Sequence, residues 1–400
     1  MPQLSLQHIL ALISLGCVTV GVGGTPRALA QSDTIIEHLS IYQARGVYCA
    51  WPSVVRAVNG DILVAFTATE EHLAPDGRIL MVRSTDNGRT WGVPDTLLDT
   101  PIDDRESGCT TLSDGTIVAH LWSTLHTRRY YEALPPLAYG PELLARWIEK
   151  VDATGYRQEA PRHGAWHRTS TDNGHSWSPP ARGKDAVHGG IQLRDGSLLI
   201  ATYRADGPLI GVYRAAGANE PYARIATLRS PSADSLAFGE PHIAQLPGGR
   251  IIMMIRATAI PYNDRDPRCV LWESYSDDGG VTWVEPFPTS LWGFPPHLLV
   301  LGDGRVVCSY GYRRFPYGVR ACLSADGITW NAEDEIVLRE DAPNGDLGYP
   351  ASVALGGGKI LTVYYQPDVP RGTVQEMHPP DPDRTKPGIL GTVWKLPPRR

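Results

Sequence analysis

The chain has 400 residues and a formal charge of −6 with an isoelectric point near 6.1, and it contains no long lysine or arginine run, which argues against nucleic acid or an anionic membrane as its main partner. Its 41 glycines and 34 prolines fill nearly one position in five against a usual ~12%, so it turns often, and long helices or coiled coils are excluded. Hydrophobic residues at 42% supply ample material for a buried core.

At the start, Ile9 to Val22 is almost uninterruptedly apolar and Ala28-Leu29-Ala30 follows as a small-x-small site. This predicts a signal peptide over 1–30, cut before Gln31, and hence a secreted or periplasmic protein. The apolar run is too short to span a bilayer, so no membrane insertion is expected after cleavage. Beyond the leader stand Cys49, Cys109, Cys269, Cys308 and Cys322. Their odd number and the lack of any CxxC spacing indicate neither a disulfide framework nor a cysteine zinc site.

From residue 52 onward one unit recurs six times: an apolar run, a glycine-containing turn and a second apolar run. It is read in PSVVRAVNGDILVAF (52–66), SGCTTLSDGTIVAHL (107–121), HGGIQLRDGSLLIAT (188–202), PHIAQLPGGRIIMMI (241–255), PHLLVLGDGRVVCSY (296–310) and PASVALGGGKILTVY (350–364). Each predicts a β-hairpin, because Asn-Gly, Asp-Gly and Gly-Gly supply the positive φ that tight turns require. The turn glycines Gly60, Gly115, Gly196, Gly249, Gly304 and Gly358 are 55, 81, 53, 55 and 54 residues apart. The long interval predicts an insertion over about 129–165. Within it, Pro141 to Val151 reads as a short helix with Leu143, Leu144, Trp147, Ile148 and Val151 on one face, either a lid over the site or a helix packed on the rim.

A second motif is interleaved: STDNGRTW (84–91), STDNGHSW (170–177), SYSDDGGVTW (274–283) and the shorter SADGITW (324–330). These segments resemble the Asp box of the sialidase and BNR-repeat proteins. The aspartates Asp86, Asp172, Asp278 and Asp326 are expected to accept backbone N–H bonds within the turn, a structural role. Six hairpins at a period near 54, with boxes between third and fourth strands, predict an all-β, six-bladed β-propeller with Asp-box turns and one short helical insertion, occupying 31–400. Ile35–Tyr42 and Ile389–Leu396 are expected to complete the last blade and close the ring.

In a propeller, equivalent positions of the inner strands converge at one mouth. Nine residues before each turn glycine stand Trp51, Glu106, Val187, Glu240, Pro295 and Tyr349, and His188, His242 and His297 fall beside that row. Ionisable groups at a buried axis cost several kcal/mol unless paired or used. Arg204, Arg256, Arg313, Arg314 and Arg320 follow the second strands, and converging guanidinium groups suit a carboxylate.

The order Glu240, Arg256, an arginine in GYRRFPYGVR (311–320) and Tyr349 in DLGYPASVAL (346–355) resembles the sialidase superfamily. The resemblance implies an exo-sialidase-like glycoside hydrolase with Tyr349 as nucleophile, Glu240 as its base, and Arg256 with Arg314 clamping the substrate carboxylate. Arg204, Arg320, His188, His297 and Trp51 are further candidates for binding a glycan substrate, and Glu106 is a further catalytic candidate. The acid/base residue is sought among Glu70, Glu71, His72 and Asp76; Asp76 fits best by its distance of ten residues from Asp86, with Glu71 the alternative. Where sialidases usually carry Arg-Ile-Pro on the first inner strand, this sequence has Ala50-Trp51-Pro52. Two other readings stand beside this one: a polysaccharide lyase or uronate-linked glycosidase with His297 or His188 as base and Arg204 or Arg256 neutralising the uronate, and a carbohydrate-binding propeller using Trp51, Trp166 and Trp292. The histidine spacing is too long to define a zinc site, and no cofactor or metal is expected.

Overall fold

The six glycine turns close six hairpins, and each hairpin forms the inner half of a four-stranded antiparallel sheet. The geometry repeats from unit to unit: Gly60 N–H donates to Ala57 O at 2.9 Å and Gly249 N–H to Leu246 O at 2.9 Å, with φ of 96° and 97° at the two glycines. A side chain at such an angle would be strained, which is why glycine recurs there. The computed structural model describes residues 34–398 apart from 135–138, 156–158, 205–208, 264 and 369–385; the expected leader lies outside the described residues.

Blade one contains Tyr48–Arg56, Ile62–Thr69, Arg78–Ser84 and Asp95–Leu98; blade two contains Asp103–Thr111, Ile117–Thr124, Gly164–Ser170 and Ala181–Arg182. Blade three contains Ile191–Gln192, Leu198–Thr202, Ile210–Ala215 and Ala223–Leu228, and blade four Leu236–Gln245, Ile251–Ala259, Trp272–Ser276 and Phe287–Pro288. Blade five is built from Pro296–Val300, Val306–Tyr312, Gly318–Ser324 and Ile336–Arg339. Blade six takes Gly348–Gly356, Lys359–Pro367 and Pro387–Lys395 from the C-terminal part and Ile35–Tyr42 from the N-terminal part, so its outer edge is closed by the opposite end of the chain.

The core lies between neighbouring sheets. Ile62, Val64 and Phe66 of blade one pack with Leu361, Val363 and Tyr365 of blade six, while Leu199 and Val212 of blade three meet Ile251 and Met253 of blade four. Fully burying each such side chain contributes about 1.5–3 kcal/mol. The Asp boxes close the third-to-fourth-strand turns of blades one, two, four and five. In the first, Asp86 Oδ1 accepts from Arg89 N–H and Thr90 N–H at 3.0 and 2.9 Å, and Ser84 Oγ accepts from Gly88 N–H at 2.8 Å. Those bonds, led by the Thr90 hydroxyl, hold the Asp86 carboxyl well below its ordinary range. The five described cysteines beyond the leader are buried and free.

Among the described residues the insertion contains two α-helices, α1 (Arg128–Glu132) and α2 (Pro141–Thr154). The sequence signals only α2; α1 is too short to show an apolar period and starts on its Thr127 cap, whose side chain accepts from Tyr130 N–H. The apolar face of α2 is the expected one: Leu144 and Trp147 are buried, and Leu143, Ile148 and Val151 flank them in a small separate core with Ala74 and Tyr131. Among the described residues, no helix is long and apolar enough to cross a membrane.

Candidate active site

Four of the six residues counted nine before the turn glycines share an unusual backbone. Trp51, Glu106, Glu240 and Tyr349 have φ of 54°, 54°, 44° and 49°, in the left-handed region that residues other than glycine seldom enter. At each, the pairing of first and second strands slips by one residue: between Ala50 and Ser53, Arg105 and Ser107, Gly239 and His242, and Gly348 and Ala351. These are β-bulges, which bend a strand and re-aim its side chains. The same device repeated in blades one, two, four and six delivers an indole, two carboxyls and a phenol to one mouth.

The phenol of Tyr349 donates to Glu240 Oε1 at 2.6 Å, and Arg256 Nη1 donates to Glu240 Oε2 at 2.7 Å. Burial works against the Glu240 charge, but Arg256, the Tyr349 hydrogen bond and Arg313 outweigh it and leave the carboxyl below its ordinary range. Burial first, then the Glu106 and Glu240 charges, push the Tyr349 phenol well above its ordinary value, so at rest it keeps its proton. Burial disfavours the Arg256 charge too, and Glu240 more than restores it. Arg256 lies 4.3 Å from the Phe294 ring centre, and Arg313 lies 5.2 Å from the same ring.

On the blade-two side, Glu106 pairs with Arg204, which also meets Asp185 at 3.3 Å. On the blade-one side, Trp51 is 6.4 Å from Tyr349 and 5.1 Å from His72, both edge-on. His72 Nδ1 lies 2.6 Å from Tyr48 Oη, and that hydroxyl donates to Asp346 at 2.8 Å. Arg105, beside the Trp51 ring at 4.8 Å, donates to His72 O at 2.8 Å and pairs with Asp103 at 2.6 Å.

Thus Tyr349, Glu240, Arg256, Glu106, Arg204 and Trp51 come together as the sequence led us to expect. Arg314 and Arg320 do not join them. Arg314 stacks over Trp292 at 3.9 Å, and Arg320 stacks over Tyr312 at 3.9 Å beside Glu335 at 3.8 Å. The arginine of GYRRFPYGVR that reaches the site is Arg313, which donates to Leu347 O at 2.9 Å and contributes to the depressed Asp346 carboxyl. Adjacent arginines where a strand becomes a loop cannot be ranked by spacing.

Asp76 pairs with Lys150 on α2, and Glu71 pairs with Lys386 at 3.2 Å; the member of that loop that meets Trp51 is His72. Helix α2 is docked on this loop: Trp147 Nε1 donates to Glu70 Oε2 at 2.9 Å, and Tyr131 Oη from α1 donates to Leu73 O at 2.9 Å.

His188, His242 and His297 lie together on the axis. The His242 and His297 rings stack at 4.5 Å, and His188 meets them edge-on at 5.6 and 5.4 Å. All three are buried, and burial lowers each, His242 to about 3. His242 Nδ1 accepts from Leu298 N–H at 2.8 Å. The rings face one another as neutral groups, and among the described residues no group of three His, Cys, Asp or Glu side chains is placed to hold a metal ion.

The site residues that the sequence did not single out are Tyr48, Asp103, Asp346 and Tyr365, whose hydroxyl donates to Asp346 Oδ1 at 3.2 Å. A signal for three of them existed: Tyr48, Asp103 and Asp346 each stand three positions before a bulge residue.

A BNR repeat-like domain is matched over residues 150–362, more than half of the chain. The chain belongs to the BNR repeat-like family. This family member finds no match among curated proteins. Among solved structures, it is similar to a protein of unknown function from Dyadobacter fermentans, 22% identical, covering 91% of this chain and 99% of that one at a TM-score of 0.70. It is also similar to the NanB sialidase of Streptococcus pneumoniae, 11% identical, covering 91% and 71% at 0.61. A third is the GH93 α-L-arabinofuranosidase of Fusarium graminearum, 13% identical, covering 90% and 98% at 0.58. At these identities the likeness establishes the sialidase-like six-bladed fold that the sequence predicts.

Proposed function

We propose that the chain is a glycoside hydrolase that removes a terminal acidic sugar from a glycan through Tyr349. One observation carries the reading: Glu240 takes the phenol proton's hydrogen bond on one oxygen and Arg256 on the other. In the first step the Tyr349 oxygen bonds to the anomeric carbon, its proton passes to Glu240, and the glycosidic C–O bond breaks as the leaving oxygen takes a proton from an acid. Water then attacks the same carbon, giving a proton to that acid's conjugate base, and the departing phenolate recovers its proton from Glu240. Two displacements retain the configuration. A phenol at its ordinary pKa is a poor nucleophile, so the adjacent carboxylate is needed.

The acidic sugar follows from the same contacts. A carboxylate at the reacting centre repels an anionic nucleophile, whereas a phenol approaches uncharged. A substrate carboxylate that engages Arg256 and Arg313 also competes with Glu240 for Arg256, and a Glu240 released from that pair is a stronger base for the phenol. Substrate arrival thereby activates the nucleophile. Elimination from a uronate with His188 or His297 as base is less well supported, because both rings are buried in the axial stack. A purely binding propeller has no need for the buried phenol–carboxylate pair. The proposal includes export with loss of residues 1–30, tested by N-terminal sequencing of secreted protein, which should begin at Gln31.

The deciding experiment is release of free sugar from sialylated, uronate-bearing and neutral glycans by wild type, Tyr349→Phe and Glu240→Gln. Acidic sugar should be released by wild type, and each variant should lose at least ~100-fold in turnover, the scale of a lost nucleophile or base. Near-wild-type turnover in either variant, or release of neutral sugar alone, contradicts the reading.

A further inference from the structure

In the first displacement the leaving oxygen needs a proton, and the two carboxylates that the sequence favours as its source are both held by lysines, Asp76 by Lys150 and Glu71 by Lys386. His72, from the same loop, is differently placed. It packs edge-on against Trp51, whose indole on its other contacts meets Tyr349, so one ring spans the gap between His72 and the phenol.

The partners of His72 also define its proton. The Tyr48 hydroxyl has one hydrogen, which it directs at Asp346, at 2.8 and 2.9 Å from the two carboxylate oxygens. Its oxygen is therefore an acceptor toward His72, and the 2.6 Å contact is made by an Nδ1–H of the imidazole. Asp346 Oδ1 lies 3.4 Å from the same nitrogen, an ion pair when the ring carries both protons. Nε2 has no hydrogen-bond partner among the described residues, and the side chain is 18% exposed, leaving that nitrogen for a ligand. Arg105 fixes the backbone of the residue through His72 O, and α1 and α2 brace the loop on its other side through Leu73 O and Glu70. A histidine whose second nitrogen is tied to a carboxylate is a recurrent arrangement for proton transfer.

We infer that His72 is the catalytic acid of this site, donating its Nε2 proton to the leaving oxygen and recovering one from the attacking water, with Asp346 and Tyr48 as positioning residues. The inference rests on the glycosidase reading above. In the first displacement the Nε2–H bond breaks as the leaving-group O–H bond forms, leaving a neutral imidazole; in the second that imidazole takes a proton from water as its oxygen bonds to the anomeric carbon.

The test uses the full-length protein and two glycosides of the acidic sugar that wild type releases, N-acetylneuraminic acid or a uronic acid: the 4-nitrophenyl glycoside, whose leaving group departs without protonation, and the methyl glycoside, whose leaving group does not. His72→Gln and His72→Ala should each lose at least about 100-fold in kcat/KM on the methyl glycoside and less than about 10-fold on the 4-nitrophenyl glycoside, as removal of an acid term requires. Asp346→Asn should shift the same ratio in the same direction. Equal losses on the two glycosides in a variant whose thermal unfolding matches wild type would overturn the assignment of His72 while leaving Tyr349 and Glu240 in place. If wild type cleaves neither glycoside, or if Tyr349→Phe cleaves both normally, the underlying reading fails and this one with it. The misfolding of one variant leaves the other to decide.

Discussion

Glu273 shows how one side chain sets a pH limit away from the site. Its carboxyl is buried between blades four and five, with Oε2 accepting from Trp330 Nε1 at 2.8 Å, and burial pushes it up to about 8 although the indole bond pulls the other way. A raised native value means that the native state holds the proton more tightly than the unfolded chain does. The associated stability is complete below about pH 4.5, the ordinary carboxyl value, and is lost as the pH rises through about 8. Urea unfolding at pH 5 and pH 9 should therefore show a loss in wild type that Glu273→Gln reduces by on the order of 2 kcal/mol. An unchanged difference between the two pH values would show that Glu273 titrates normally. The four bulge residues act at the same scale with the opposite balance: a left-handed angle at a non-glycine residue costs on the order of 1–3 kcal/mol, and it is kept where Trp51, Glu106, Glu240 and Tyr349 must turn out of their strands.

At the scale of the strand, Gly108 brings blade two against the segment leading into blade three. A Cβ there would overlap the backbone of Ala186 and Gly189 in that segment, and no flexible side chain is present to move aside. Gly108→Ala should cost about 1–3 kcal/mol or more, read as a lowered urea midpoint; an unchanged midpoint would mean that the inner strands of blades two and three are not in contact. Hairpins, Asp boxes and α2 were legible because each depends on residues near in sequence: a turn glycine, a Ser-x-Asp, a 3.6-residue apolar period. The row holding Glu106, Glu240 and Tyr349 was legible because a propeller converts equal positions in repeats into neighbours. What escaped was set by details inside one element. Arg313 rather than Arg314 turns inward at the end of its strand, and His72 rather than Asp76 reaches Trp51 because Lys150 of the insertion claims the aspartate. Neither choice leaves a mark in residue spacing.

The whole ring depends on its ends meeting. Ile35–Tyr42 pairs with Pro387–Lys395 along its length, covering what would otherwise be an open edge of blade six. Removal of residues up to Tyr42 should lower Tm by several degrees and produce higher oligomers in size-exclusion chromatography; a monomer with wild-type Tm would show that closure by the N-terminal strand is dispensable. The active-site account depends on that closure, since Tyr349 comes from blade six, Glu240 from blade four and Trp51 from blade one. Its central claim is that the Tyr349 phenol becomes bonded to the sugar. The direct measurement is peptide mass spectrometry of wild-type protein after reaction with a 2,3-difluorinated N-acetylneuraminic acid, an analogue whose fluorines slow both displacements and let the covalent species accumulate. The added sugar mass is expected on Tyr349 and not on Glu240→Gln treated in parallel; an adduct on Glu106 or Glu240, or no adduct on the wild-type protein, would rule out a Tyr349 nucleophile.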